Sequence, residues 1–95
     1  MLLELIKILD KNSIINNINV DSKKNLFHEI GSHAGLIYGL DNREVFSALL
    51  ERESLGPTGM GEGIAIPHAR VSKVDSVRGI FIRLEKPIWF DAIDG

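Results

Sequence analysis

Residues 59–70 read Gly-Met-Gly-Glu-Gly-Ile-Ala-Ile-Pro-His-Ala-Arg, and this stretch separates a helical half of the chain from a strand-forming half. Gly59, Gly61 and Gly63 lack a Cβ, so a ligand or a partner's backbone can come close. His68 follows a short apolar run, and an imidazole, which titrates near neutral pH, can act as a neutral nucleophile. The stretch therefore predicts a loop that presents His68 to a reactive group such as phosphate. The structural alternative is a tight turn that needs glycine, beside an ordinary histidine.

Two amphipathic helices are predicted ahead of this stretch. The first begins after an N-cap at Asp21 or Ser22 and ends at Gly39, a typical C-cap. Its apolar residues recur at helical spacing: Leu26, Phe27, Ile30, Ala34, Ile37 and Tyr38. The second begins at Asp41, which forms a capping-box pattern with Glu44. Its apolar stripe consists of Val45, Phe46, Leu49 and Leu50. Each helix is therefore expected to bury one face.

Short strands are predicted around and after the glycines. The segment from Leu55 to Gly63 holds four glycines and a proline, so it is predicted to be a loop. In a following strand, Ile64, Ile66 and His68 would share one face, and Pro67 would end it because proline has no N–H. The clearest strand pattern runs from Val77 to Leu84. Ile80, Ile82 and Leu84 lie on one of its faces and Phe81 on the other.

Two helices followed by two or three strands predict an α/β (α+β) fold, with a mixed β-sheet flanked by helices. A short helix is predicted ahead of them at Leu2–Leu9, and residues 12–17 are predicted to be a turn that leads into a short strand or an extended piece. So few strands leave Phe81 and Trp89-Phe90 without partners and expose strand edges. Either a second copy supplies more strands, or residues 1–95 are the N-terminal portion of a larger domain.

Composition excludes several classes of protein. With 95 residues the chain holds one small domain, and 44% hydrophobic with 25% charged residues is ordinary for a folded one. The chain contains no cysteine, so disulfides, thiol catalysis and zinc–thiolate sites are excluded. A net charge of −2 argues against nucleic-acid binding. There is no membrane-crossing run and no signal-peptide pattern, so a cytoplasmic location with no membrane partner is predicted.

Known ligand loops and metal sites do not fit the pattern. The glycine spacing is G-x-G-x-G after a helix, which disfavours dinucleotide binding, and no Gly-Lys-Ser/Thr follows for a nucleoside triphosphate. His28 and His33 are five residues apart and would diverge on a helix, so no metal site is predicted. His28 is expected to be exposed and His33 to be partly buried.

Two charged residues near the end of the second helix, Arg52 and Glu53, are expected to have a specific functional or structural role. Arg52 lies at the flank of the apolar stripe, next to the glycine loop, where its planar fork could clamp an anion. Arg70 is a weaker candidate for the same role. Glu53 falls nearer the middle of the stripe, where a charge is costly. Either the helix frays there or Glu53 finds a donor.

Longer stretches carry a resemblance. Residues 51–70, Glu-Arg-Glu-Ser-Leu-Gly-Pro-Thr-Gly-Met-Gly-Glu-Gly-Ile-Ala-Ile-Pro-His-Ala-Arg, closely resemble the signature of bacterial phosphotransferase-system (PTS) IIA domains of the fructose/mannitol class, also called EIIA type 2. Residues 83–95, Arg-Leu-Glu-Lys-Pro-Ile-Trp-Phe-Asp-Ala-Ile-Asp-Gly, look most like the nitrogen-regulatory (PtsN) type. The resemblance covers nearly the whole chain, with weaker support before residue 20.

This resemblance implies a phosphotransferase component that carries a phosphoryl group. His68 matches the histidine that accepts it, on Nε2, from a histidine phosphocarrier protein. Arg52 matches the arginine that neutralises the phosphoryl oxygens, and Thr58 a loop threonine that makes a polar contact. The glycines would keep the rim low for the partner, and Arg70 would add positive charge. Transfer between histidines needs placement and charge stabilisation, so no metal or other cofactor is implied.

Departures from the family pattern leave alternatives open. Pro57 stands where serine is common, and Ala69-Arg70 replaces a frequent Gly-Lys pair. Family domains also continue well past the Asp-Gly at residues 94–95, so residues 1–95 are predicted to be an EIIA type-2 domain that lacks its C-terminal portion. A free-standing start favours a regulatory role with target proteins. The alternatives are a non-catalytic module that forms a homo-oligomer or binds a partner, and an inactive partial domain.

Overall fold

The computed structural model describes residues 13–71 and 78–90. In chain order its elements are β1 (Ile14–Ile18), α1 (Lys23–Tyr38), α2 (Asn42–Leu55), β2 (Gly59–Gly61), β3 (Ile64–Ala65) and β4 (Phe81–Leu84). The predicted α/β (α+β) class is confirmed, but the described residues show small separate sheets rather than the single mixed sheet that was expected. In this part of the chain the strands form two separate pairs, parallel β1–β4 and antiparallel β2–β3.

Local hydrogen bonds end helix α1 at the predicted residues. Ser22 Oγ accepts a hydrogen bond from Asn25 N at 3.2 Å, which makes Ser22 the N-cap. Asp21, the other candidate, instead accepts from Asn25 Nδ2 at 2.7 Å. At the other end Gly39 has φ 68°, and its N–H donates to Gly35 O at 3.1 Å. This left-handed φ would strain a residue with a Cβ, so the glycine ends the helix.

Helix α2 begins at the predicted cap and packs closely against α1. Asp41 Oδ1 accepts from Arg43 N at 2.9 Å and from Glu44 N at 3.3 Å. Gly31 of α1 is buried at the start of α2, where a Cβ on it would lie 2.6 Å from Asn42 O. Real Cβ atoms do not come so close to backbone oxygen, so the contact between the helices depends on the missing side chain.

Replacing Gly31 with alanine is expected to destabilise the fold by about 1–3 kcal/mol, because overpacking outweighs alanine's better helix propensity. Urea unfolding followed by circular dichroism would measure the change. Ser32→Ala, at an exposed position on the same helix, is the matched control and should change stability by less than about 0.5 kcal/mol. A Gly31→Ala variant as stable as the wild type would contradict the close approach of the helices.

Strands β1 and β4 pair in parallel, with Ile14 opposite Phe81. The register shifts between Ile15 and Ile18, and Asn17 within this interval has φ 61°. Asparagine enters the left-handed region more readily than other residues with a Cβ, so it suits the irregular position. Residues 14–18 thus confirm the short strand predicted near residues 12–17.

The strand predicted from Val77 to Leu84 is shorter in the structure. Strand β4 covers Phe81–Leu84, Gly79 and Ile80 precede it without regular structure, and Val77 lies outside the described residues. The predicted alternation is confirmed, since Ile82 and Leu84 are half-buried and Phe81 is exposed. The helix predicted at Leu2–Leu9 also lies outside the described residues.

The prediction of a loop from Leu55 to Gly63 was wrong in part. Helix α2 continues to Leu55, and β2 and β3 form a small antiparallel hairpin. Glu62 has φ 57° and Gly63 has φ 77°, the positive values that the two central residues of a type I′ hairpin turn require. Gly63 therefore serves a tight turn, as the structural alternative expected. The strand predicted from Ile64 to Pro67 is shorter in the structure, since β3 ends at Ala65, two residues before the proline.

The core lies between the helices and the last described residues. Its buried apolar side chains are Val20, Leu26, Phe27, Ala34, Val45, Leu49 and Phe90. Phe27 is fully buried, and its ring lies edge-on to Phe90 with 6.2 Å between centroids. Lys23 Nζ lies 4.9 Å from the centre of the Phe90 ring. Trp89, by contrast, is 64% exposed, so only one of the two neighbouring aromatic residues joins the core.

Candidate functional site

Arg52 and His68 meet at the surface where α2 ends and the chain leaves the hairpin. Arg52 Nε donates a hydrogen bond to His68 Nε2 at 3.2 Å. Arg52 Nη1 donates to Gly56 O, the residue after the helix, at 2.9 Å. The second bond anchors the guanidinium, while the imidazole remains exposed. The structure thus brings together two residues that lie sixteen positions apart in the chain.

The two ring nitrogens of His68 have different partners. Nδ1 lies 3.1 Å from Ile66 O, and a carbonyl oxygen only accepts hydrogen bonds. Nδ1 is therefore assigned the proton, and Nε2 carries the lone pair that accepts from Arg52. The Ile66 carbonyl and the Arg52 N–H thus both favour the same tautomer, in which the nitrogen with the free electron pair faces the guanidinium.

A buried carboxylate braces the segment behind this pair. Glu53 follows Arg52 in α2, and its side chain is 7% exposed. Its Oε2 accepts from Lys23 Nζ at 2.8 Å and from Thr58 N at 3.0 Å. Its Oε1 accepts from Thr58 Oγ1 at 2.5 Å. Of the two sequence alternatives for Glu53, the structure has the one in which the carboxylate finds donors.

These contacts set the ionisation of Glu53. Burial by itself raises the pKa of the carboxyl, but the hydrogen bonds from Lys23 and Thr58 together outweigh it, so the pKa of Glu53 lies below its ordinary value. A carboxyl with a lower pKa in the folded than in the unfolded state stabilises the fold above the unfolded pKa, near 4.3. That stabilisation is lost as pH falls through the lower, folded value.

The free energy of unfolding is therefore expected to fall on acidification from pH 6 to pH 3, and less steeply in Glu53→Gln than in the wild type. Urea titrations at each pH would measure both slopes. Glu51→Gln, at an exposed position on the same helix, is the control and should keep the wild-type slope. Equal slopes for the wild type and Glu53→Gln would show that the ionised carboxylate does not stabilise the fold.

Thr58 lies behind the site rather than in contact with the imidazole. It is 6% exposed, and its hydroxyl is engaged by Glu53. Its carbonyl oxygen accepts from Ile66 N at 3.0 Å, which ties the chain before the hairpin to the chain after it. Because Ile66 O in turn contacts the ring of His68, Thr58 touches the site through the backbone.

The other predicted site residues are placed differently. Gly59, Gly61 and Gly63 belong to the hairpin β2–β3, which ends three residues before His68. Arg70 is exposed, two residues beyond the histidine. Sequence patterns did not single out Lys23, since a lysine in the first turn of a helix has no distinctive signal. Its contact with Glu53, thirty positions away, exists only in the folded chain.

The two remaining histidines lie on α1 and have other partners, one on each helix. His28 is exposed, as predicted, and stacks on Phe46 with 3.8 Å between ring centroids. His33 is partly buried, also as predicted, and its Nε2 lies 3.6 Å from Glu29 Oε2. Within residues 13–71 and 78–90, no three histidine, aspartate or glutamate side chains gather in a metal-binding arrangement. The same described ranges hold no helix with the length and apolar character needed to span a membrane.

The fold is that of a small α/β domain, with an exposed histidine and an arginine paired at its surface. The chain belongs to the family described as "Phosphoenolpyruvate-dependent sugar phosphotransferase system, EIIA 2", whose model matches residues 7–95. This confirms the resemblance noted in the sequence.

Relatives within the family point to its nitrogen-regulatory members. The chain is 41% identical over 83 residues to the nitrogen regulatory protein of Bradyrhizobium diazoefficiens, covering 87% of this chain and 54% of that protein. It is 42% identical over 94 residues to the nitrogen regulatory protein of Klebsiella oxytoca, covering 97% of this chain and 57% of that protein. The crystal structure of nitrogen regulatory protein IIA-Ntr from Neisseria meningitidis superposes with a TM-score of 0.86 at 44% identity, covering 96% of this chain and 63% of the other. The chain thus spans a little over half the length of the relatives it matches.

Proposed function

We propose that the chain is a regulatory IIA component that accepts a phosphoryl group on His68 Nε2 from a histidine phosphocarrier protein. The observation that carries the proposal is the contact between Arg52 Nε and His68 Nε2 at 3.2 Å. It places a permanent positive charge beside the one ring nitrogen that has a lone pair, on an exposed surface. Membership of the phosphotransferase family supports the same chemistry.

In the proposed reaction, His68 acts as a neutral nucleophile. The phosphorus–nitrogen bond of the donor's phosphohistidine breaks, and its electron pair returns to the donor ring nitrogen. The lone pair of His68 Nε2 forms the new phosphorus–nitrogen bond. Nδ1 keeps its proton, and Ile66 O, at 3.1 Å, stabilises the positive charge that the ring acquires. No proton has to leave the acceptor, so no general base is needed.

Arg52 has two roles in this proposal. Before transfer, the hydrogen bond from its Nε–H to Nε2 fixes the orientation of the imidazole. As phosphorus approaches, the guanidinium exchanges that hydrogen bond for one to a phosphoryl oxygen, while the bond from Nη1 to Gly56 O at 2.9 Å keeps it near. Donors already aimed at the place where negative charge arrives stabilise the transition state with little reorganisation.

The relatives named nitrogen regulatory proteins support a regulatory role in this proposal. A phosphoryl group adds about −1.5 to −2 charge to the surface that holds it, which changes what that surface can bind. We infer that phosphorylation at His68 switches binding of target proteins. The function, the phosphocarrier partner and the cytoplasmic location all carry over from the family as parts of this proposal.

The test is transfer of label from phosphoenolpyruvate through enzyme I and the phosphocarrier to the chain. We expect one acid-labile phosphoryl group per chain, with phosphorus–nitrogen coupling to Nε2 of His68 in the nuclear magnetic resonance (NMR) spectrum. Incubation without the phosphocarrier is the control. Label on another residue, or coupling to Nδ1, would overturn the assignment of the acceptor atom.

A second candidate function, an oligomerisation module, is favoured by the β1–β4 pair. Ile14 and Phe81 lie opposite each other and are 48% and 54% exposed, so they form an apolar spot on a two-stranded sheet. Multi-angle light scattering would then detect a dimer that Phe81→Ser converts to monomer. A wild-type monomer over the whole concentration range would remove this candidate.

A further inference from the structure

Helix α1, helix α2 and the hairpin are joined at one buried carboxylate. Lys23 comes from the first turn of α1, Glu53 from the last turn of α2, and Thr58 from the segment that enters β2. Glu53 accepts three hydrogen bonds from them, at 2.8, 3.0 and 2.5 Å. Both carboxylate oxygens are therefore engaged, and the side chain is held in one orientation.

This junction connects to both members of the Arg52–His68 pair. On one side Glu53 is the next residue to Arg52, so it holds the end of α2 that carries the guanidinium. On the other side Thr58 O accepts from Ile66 N at 3.0 Å, and Ile66 O lies 3.1 Å from His68 Nδ1. A continuous path of hydrogen bonds thus runs from Lys23 to the imidazole.

We propose that Glu53, held by Lys23 and Thr58, is a positioning residue that sets the tautomer of His68 and its alignment with Arg52. The inference deepens the proposed function and rests on it for its kinetic consequence. If the Ile66 carbonyl shifts, Nδ1 loses its acceptor, and the proton is free to move to Nε2. A ring protonated on Nε2 has its lone pair on Nδ1, not on the nitrogen beside Arg52 that attacks phosphorus, so the loss would appear in the rate of transfer rather than in partner binding.

Glutamine in place of Glu53 tests this with little change in shape. The amide has one acceptor oxygen and one donor nitrogen, so the Thr58 hydroxyl can no longer donate as it does now and has to accept instead, while Lys23 loses the negative charge that it pairs with. We expect nitrogen-15 NMR spectra of the imidazole, taken where it is neutral, to change from mainly the Nδ1–H tautomer to a mixture. The maximal single-turnover rate should fall about tenfold, while the donor concentration for half that rate stays within about twofold.

Matched variants separate positioning from loss of stability. Thr58→Val removes the hydroxyl that donates to Glu53 and should shift the tautomer, whereas Thr58→Ser keeps the hydroxyl and should restore the wild-type spectrum. Tyr38→Phe removes another hydrogen bond from α1, Tyr38 Oη to Gly79 O at 2.6 Å, and should leave the tautomer unchanged.

The outcomes are distinct. A tautomer shift in Glu53→Gln and Thr58→Val, but not in Thr58→Ser or Tyr38→Phe, would support the proposal. An unchanged spectrum in Glu53→Gln and Thr58→Val, or an equal shift in Tyr38→Phe, would overturn it. If the wild type takes up no label at all, the proposed function fails, but the spectra still decide whether Glu53 positions the ring.

Discussion

Replacing His68 with alanine is expected to reduce phosphoryl acceptance from the phosphocarrier to background, a loss of at least about 10³-fold. The reason is chemical: the proposed reaction forms a bond to Nε2, and without the imidazole no lone pair lies beside Arg52. His68→Gln should fail equally, because its amide fills similar space but is not a nucleophile. Transfer of label from phosphoenolpyruvate, with the mass of the product, would measure the effect.

His33→Gln is the matched control for this prediction. His33 lies on α1, contacts Glu29 and takes no part in the pair with Arg52, so its loss should leave labelling unchanged. Equal, acid-labile label in the wild type and His68→Ala would show that another residue accepts the phosphoryl group. Absence of label from both would show that this chain is not a phosphocarrier.

Replacing Arg52 with glutamine is expected to lower the transfer rate by about 10²-fold, the usual cost of removing one donor to a charged transition state. In Arg52→Lys the transfer rate should fall less, by about tenfold. Lysine keeps the charge but lacks the planar fork that binds Gly56 O and a phosphoryl oxygen together. Rapid-quench measurement of single-turnover rates, with saturating phosphorylated donor, would give both values.

Arg43→Gln controls for the loss of one positive charge from the same helix. Arg43 is exposed in the first turn of α2, at the opposite end from Arg52, and its removal should change the rate by less than about twofold. A rate for Arg52→Gln equal to that of Arg43→Gln would mean that the guanidinium next to His68 does not stabilise the transfer.

The helix ends were predictable because their determinants lie within a few residues. Ser22 caps α1 through Asn25, Asp41 caps α2 through Arg43, and Gly39 ends α1 because of its own φ. Such interactions involve only residues that are close in the sequence, so a short window of sequence contains their cause. The hairpin was less predictable: its strands are too short to show alternation, and glycine alone does not distinguish a loop from a turn between strands.

The site was predictable in part. The glycine-rich stretch singled out His68, and position on the helix singled out Arg52. Their contact, however, depends on where the chain leaves the hairpin. The amphipathic pattern showed that Glu53 places a charge on an apolar face. It did not show which group donates to the carboxylate, because Lys23 lies thirty residues away.

The sequence by itself determined the caps, the apolar faces of the two helices, the α/β class and the two residues for which a phosphoryl chemistry could be proposed. All of these depend on side-chain type and near neighbours. Only the tertiary structure decided that Nε2 of His68 faces Arg52, that Nδ1 lies against Ile66 O, and that a part-buried ion pair braces the segment behind them. Hydrogen bonds between distant residues require both partners to be already in place, so packing decides them and no local pattern can.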